Sequence, residues 1–290
     1  MAVLPASGES RRKNLALRVA SAFLLLPLII WLIALGGWPF AALIAATAGI
    51  CVQEIYAMLL GQPAPRPVRL PPVAWLGVAF AAALPLAAEA GRFELAASLL
   101  LVAFLVASFA SFVLFSEEAP GLAATEVPRL VFGLAYGSFL VTSLVLLRRL
   151  PAGAWWVVLA CTVTWMNDTG AYFVGHAVGK HKLAPRISPG KTWEGFAGGL
   201  LFSVLFAYGV KLIGLHALRT QDCLAIGLTA GLLGPLGDLS ESLLKRGCGV
   251  KDSGVVLPGH GGMLDRIDAL IFNAPFIYLY AVLAKGLPWH

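Results

Sequence analysis

The sequence predicts an all-α fold, a polytopic membrane helix bundle of about nine transmembrane helices. Three observations lead there. Only 12% of the 290 residues are charged, about half the roughly 25% usual in soluble domains. Hydrophobic residues make up 59% and mean hydropathy is +0.84. Apolar runs of about 20 residues recur, each long enough to cross a hydrocarbon core of roughly 30 Å. The alternating segments of about ten residues that mark an outer-membrane barrel are missing.

The spans read in order as 16–36, 39–60, 71–88, 95–115, 128–147, 152–175, 194–215, 223–240 and 267–286. The first follows Arg11, Arg12, Lys13 and Arg18, as a signal peptide would. Its apolar run exceeds an h-region of roughly 7–15 residues, and Leu35-Gly36-Gly37-Trp38 is a poor cleavage site, so it reads as an uncleaved helix behind a mobile cytoplasmic segment, 1–15. The second carries Glu54, expected to be structural, and the third to fifth are almost wholly apolar. The sixth holds Asn167-Asp168, with Trp165, Asp168 and Tyr172 on one helical face. The seventh contains Gly198-Gly199, a pair suited to close helix packing. The eighth runs into Asp238, and the ninth opens beside Asp265 and Asp268. Spans one to five (16–150) form a scaffold. Spans six to nine, with two polar loops (151–290), hold nearly every suggestive polar residue and are expected to form the active part of the same bundle.

A cytoplasmic N-terminus puts fifteen of the 21 Lys and Arg residues on that side, in the segments around Arg11, Arg66, Arg129, Lys182 and Lys251. Arg148-Arg149 runs against the bias. The net charge of +6 is explained by loops beside apolar spans and by contact with anionic headgroups or nucleotides, so a nucleic-acid partner is not expected. Cys51, Cys161, Cys223 and Cys248 form no C-x-x-C pair and read as reduced core residues.

Charge is concentrated in Ser242 to Asp268, where Lys245, Arg246, Lys251, Asp252, Asp265, Arg266 and Asp268 lie among six glycines and His260. Cations for phosphate oxygens, carboxylates for a hard divalent cation and glycines for close approach suit a metal-chelated polyphosphate. Asp238, Ser242 and Lys245 share a helical face. Asp238 with Glu241 also fits a helix capping box. A carboxylate ending an apolar span is unfavourable by about 2.5–3.5 kcal/mol on insertion scales, which a bound cation would offset. Asp265 and Asp268, three apart, either share a cation or complement a helix dipole. His260 suits a phosphate contact or a loop anchor.

Gly179 to Gly195 carries Lys180, Lys182, Arg186 and Lys191 around Ser188 and Trp193. Gly190-Lys191-Thr192 resembles the end of a P-loop. Pro185 stands where its first glycine belongs and no strand is expected before it, so a cytoplasmic loop is predicted instead. That loop reads either as a positive-inside flank or as a site for an anionic lipid headgroup.

These residues resemble the CDP-diacylglycerol synthase (phosphatidate cytidylyltransferase) family. Its C-terminal signature is filled by Ser242, Lys245, Arg246, Lys251, Asp252, Gly254, Leu257, Pro258, His260, Gly261, Gly262, Met263, Asp265, Arg266 and Asp268. Asn167-Asp168, Gly179-Lys180 and Ser188 to Gly195 also resemble family segments; before residue 150 the likeness is one of hydropathy. The resemblance implies cytidylyl transfer from CTP to phosphatidate with Mg²⁺, a K⁺ beside it, and metal-binding carboxylates at Asp238, Asp265 and Asp268. Lys245, Arg246, Lys251 and Arg266 are then expected to offset transition-state charge. Arg186 and Lys191 suit the phosphatidate headgroup. Ser188, Ser242, His260, Asp252 and Asp168 complete the expected substrate contacts. The setting implied is the plasma (inner) membrane, with a cytoplasmic active site; the oligomeric state is left open by the sequence, a symmetric homodimer being common among membrane enzymes of this sort. A CTP-dependent polyprenol kinase and an anionic-metabolite transporter are the alternatives.

Overall fold

The computed structural model describes residues 25–61, 70–92, 94, 98, 101–106, 108–109, 120–256 and 261–288. His260, the expected N-terminal segment and much of the expected fourth span lie outside them. The architecture is helical. In order come α1 (Leu25–Leu35), α2 (Gly37–Leu59), α3 (Pro72–Glu89), α4 (Pro120–Leu134), α5 (Leu140–Arg149), α6 (Gly153–Val178), α7 (Trp193–Ile213), α8 (Thr220–Gly247) and α9 (Leu264–Leu279). A π-helical turn, Ala135–Phe139, joins α4 to α5 without a break, and a second, Tyr280–Ala284, prolongs α9. Among the described residues, six helices are long and apolar enough to cross a membrane: α2, α3, the continuous Val127–Arg149, α7, α8 and α9 with its extension.

Small residues set the packing where the site will form. α6 and α7 lie in close contact through Gly170, Gly195, Gly198 and Gly199; a Cβ on Gly195 would stand 2.7 Å from the Ala171 carbonyl oxygen. Without a hydrophobic force between helices in lipid, such close approach supplies the dispersion contacts that hold them. The Gly198-Gly199 pair therefore does pack helices, as its composition suggested.

Arg148 and Arg149 have a structural role that charge counting does not reveal. Arg148 donates to the Ile33 and Ala34 carbonyls at 2.6 and 2.9 Å, and Arg149 to those of Ala88 and Glu89. The last carbonyls of a helix lack intrahelical donors, and a cation there also complements the dipole. The pair thus caps the C-termini of α1 and α3.

The segment expected as a loop folds into an antiparallel hairpin. β1 (Lys182–Ala184) pairs with β2 (Ser188–Thr192), with Lys182 opposite Thr192 and Ala184 opposite Ser188. Lys191 and Thr192 lie in the strand itself, so no phosphate-cradling loop forms there. Thr192 caps α7, its Oγ1 accepting from the Gly195 N–H at 3.1 Å. The cysteines are free; three are buried and Cys248 is half-buried.

Candidate active site

α8 runs past the predicted end of its span, so Asp238, Glu241, Ser242, Lys245 and Arg246 all lie on one continuous helix. Its N-terminus is at Thr220, which removes the capping role for Asp238 and Glu241; there Asp222 accepts from the Arg219 N–H at 2.6 Å. α9 crosses α8 at Gly237. A Cβ there would sit 2.5 Å from the Asp268 carbonyl oxygen, so the crossing depends on glycine. It brings Asp238, Glu241 and Asp268 together, with one ligand oxygen from each within 4.8 Å of the others.

Three carboxylates at this spacing repel unless neutralised. Two lysines provide part of that. Lys191, reaching from β2, pairs with Asp238. Lys245 Nζ sits 2.7 Å from Glu241 Oε2 and 2.6 Å from Asp265 Oδ1. Ser242 Oγ donates to Asp238 at 3.3 Å. Glu241 is only 1% exposed, and its Oε1 has no hydrogen-bond partner among the described residues. A buried carboxylate oxygen without a donor, beside two further carboxylates, is a hard oxygen donor set that fits Mg²⁺.

Asp265 stands beside this trio, fully engaged elsewhere. Besides Lys245 it accepts from the Ser253 N–H and Oγ at 3.0 and 3.1 Å and from the Gly262 N–H at 2.9 Å. Glu54, from the middle of the first half of the chain, closes the same network. Its carboxylate accepts from the Met263 and Leu264 N–H groups at 2.9 and 3.0 Å and from Ser253 Oγ at 2.9 Å. These are the unsatisfied donors of the α9 N-terminus, where an anion is most favourable. Gly254 and Gly262 press against the Glu54 carboxylate, leaving no room for a side chain.

Two cavities, one polar and one mixed, flank the trio and share Asp168 and Asp238. The first, of about 370 Å³, is bounded by Ser242, Lys245, Arg246, Lys251, Asp252, Asp265, Arg266 and Asp268, with Glu241 at its base. The second, of about 410 Å³, lies under the hairpin against Ser188, Lys191, Tyr172 and Phe196. The structure therefore gathers almost every expected site residue. Arg186 is exposed in the hairpin turn and borders neither cavity. Glu241 and Glu54 were not among the expected site residues. Glu241 was detectable from its i, i+3 spacing to Asp238, whereas Glu54 lies 199 residues from Ser253 and had no local signal.

The model of the cytidylyltransferase family matches residues 16–284, which takes in the acidic trio, both cavities and Glu54. A phosphatidate cytidylyltransferase of Bacillus subtilis is 48% identical over 131 residues, 45% of this chain and 49% of its own. Phosphatidate cytidylyltransferases of Staphylococcus epidermidis and Staphylococcus aureus are each 44% identical, over 131 and 130 residues. In each case the similarity spans about half the length of the relative. A match over nearly the whole length, running through every residue of this site, establishes that the chain belongs to the cytidylyltransferase family.

Proposed function

We propose that this chain is a phosphatidate cytidylyltransferase, joining CTP and phosphatidate to give CDP-diacylglycerol and pyrophosphate. The observation that carries the reading is the acidic trio Asp238, Glu241 and Asp268, set between two cavities and ringed by Lys191, Lys245, Arg246, Lys251 and Arg266. The names of the relatives agree with it.

In the reaction a phosphatidate oxygen attacks the α-phosphorus of CTP. The new O–P bond forms as the bond to the β-phosphate oxygen breaks, and pyrophosphate leaves with that electron pair. A phosphate monoester is mostly dianionic at pH 7, its second pKa being about 6, so the nucleophile needs no general base. The work left to the protein is to bring two anions into line and to stabilise the charge that develops. Arg246, Lys251 and Arg266 are exposed around the polar cavity and suit that task. Buried Lys245 holds Glu241 and Asp265 in place while adding its own positive potential. Ser188, Ser242, Asp252 and Asp168 line the two cavities and would supply substrate contacts; Arg186 lines neither, and His260 lies outside the described residues.

Asp238, Glu241 and Asp268 would hold Mg²⁺, which supplies charge neutralisation for the triphosphate. In this reading Asp265, the metal ligand suggested by sequence, instead fixes Lys245 and the loop before α9, because its oxygens already accept four hydrogen bonds. Nine spans with a cytoplasmic site in the plasma membrane remain the topology we favour. α6, at 26 residues, is long enough to cross, and CTP is a cytosolic substrate.

The test is to supply CTP labelled at the α- or the γ-phosphate to protein reconstituted with phosphatidate. Label entering lipid from the α position with release of pyrophosphate, and only with Mg²⁺, is the expected result. Transfer from the γ position to an added polyprenol would replace this reading with a lipid kinase.

A further inference from the structure

A third cavity, of about 490 Å³, lies between α1, α2, α5, α6 and α9. That volume is within the range of roughly 300–1,000 Å³ seen for ligand sites. Its walls are apolar, formed by residues such as Phe40, Leu43, Leu144, Val157 and Leu270. Two residues interrupt them. The Thr47 hydroxyl is already donated to the Leu43 carbonyl at 2.9 Å. Arg266 is the single charged group, and it also borders the polar cavity beside the trio. Val157 and Trp165, eight residues apart on α6, both line the groove, so it runs roughly 12 Å along the bundle.

A groove with one cation at its mouth and hydrocarbon along its length has the form of an anionic lipid. We propose that it seats one acyl chain of the diacyl phosphate substrate, with Arg266 facing the phosphate. The inference rests on the phosphatidate reading above and adds a direction to it. The lipid enters from the Arg266 side, and the nucleotide takes the cavity under the hairpin with Lys191 and Ser188. That reverses the assignment of Lys191 and Arg186 to the lipid headgroup. In a bilayer the chain leaves one hydrocarbon setting for another, so the groove gains little from hydrophobicity. Its contribution is positional, holding the phosphate in line for attack.

The experiment uses the full-length protein in vesicles with a phosphatidate bearing a photoreactive diazirine midway along one chain. Cytidylyl transfer from α-labelled CTP is measured on the same preparation. Adducts are expected on groove residues such as Leu144, Val157 and Leu270, reduced by excess unlabelled phosphatidate. Adducts confined to outward residues such as Leu201, Leu205 and Leu212 of α7, and insensitive to competition, would overturn the groove. Because cross-linking reads binding alone, that result stands whether or not transfer occurs, while absence of transfer counts against the enzymatic reading separately. As a second readout, Val157→Trp should lower kcat/KM for long-chain phosphatidate about tenfold. A dihexanoyl phosphatidate, too short to fill the groove, should be turned over nearly as by wild type, which also verifies folding. Equal losses on both substrates would contradict the proposal.

Discussion

Lys245 holds two buried carboxylates apart and neutralises both, with Glu241 at 2.7 Å and Asp265 at 2.6 Å. Removing one partner of a buried pair costs about 3–5 kcal/mol because the charge left behind has no compensation. Lys245→Met should therefore lower the thermal unfolding midpoint in detergent and abolish turnover together. Exposed Lys251→Ala should leave stability within about 0.5 kcal/mol while still reducing turnover. If both variants unfold at the wild-type temperature, Lys245 is not the structural link described here. Glu54 belongs to the same scale. Glu54→Gln keeps the volume but turns an amide toward three donors, a loss of about 1–3 kcal/mol for a buried group left unsatisfied. The expected signature is faster hydrogen exchange at Met263 and Leu264, and unchanged exchange there would refute the capping role. These two glutamates also mark how far residues can be read from sequence. Glu241 lies one turn from Asp238, and helical spacing alone could have added it to the site. Glu54 acts through a fold that brings α2 onto the start of α9, and its composition said only that a carboxylate sat in an apolar span.

Gly237 permits the crossing of α8 and α9 on which the site depends. Gly237→Ala would drive a Cβ into the Asp268 carbonyl oxygen and displace the very residue that completes the trio. A displacement of about 1 Å can cost on the order of 100-fold in rate, so kcat should fall at least tenfold with protein still inserted. Gly209→Ala is the control. A Cβ there meets nothing within 4 Å, and a helical Gly-to-Ala change is worth about 1 kcal/mol in favour of Ala. Similar activity in the two variants would show that the close crossing does not position the site. Hydropathy located the described spans to within a few residues because lipid demands length and apolarity. It missed the elements made by backbone partners. The hairpin at Lys182–Thr192 and the arginine caps on α1 and α3 depend on groups brought close by tertiary packing.

At the scale of the molecule, three cavities are linked in a row: Asp168 and Asp238 join the two beside the acidic trio, and Arg266 joins the polar one to the apolar groove. Nearly all the side chains around the acidic trio come from the last 140 residues, yet their arrangement is held from the first half by Glu54, and Phe40 and Leu43 line the apolar groove. The composition could announce a polytopic membrane protein; it could not say which carboxylates converge. In the function we propose, Glu241 takes the ligand place expected for Asp265, because Asp265 is enclosed by donors and Glu241 has an oxygen with none among the described residues. The most direct measurement is Mn²⁺ binding, followed by electron paramagnetic resonance, to wild type, Glu241→Gln and Asp265→Asn. If Asp238, Glu241 and Asp268 hold the cation, Glu241→Gln weakens Mn²⁺ binding at least tenfold, about 1.4 kcal/mol, while Asp265→Asn binds nearly as wild type. Wild-type affinity in Glu241→Gln with loss in Asp265→Asn would contradict that assignment.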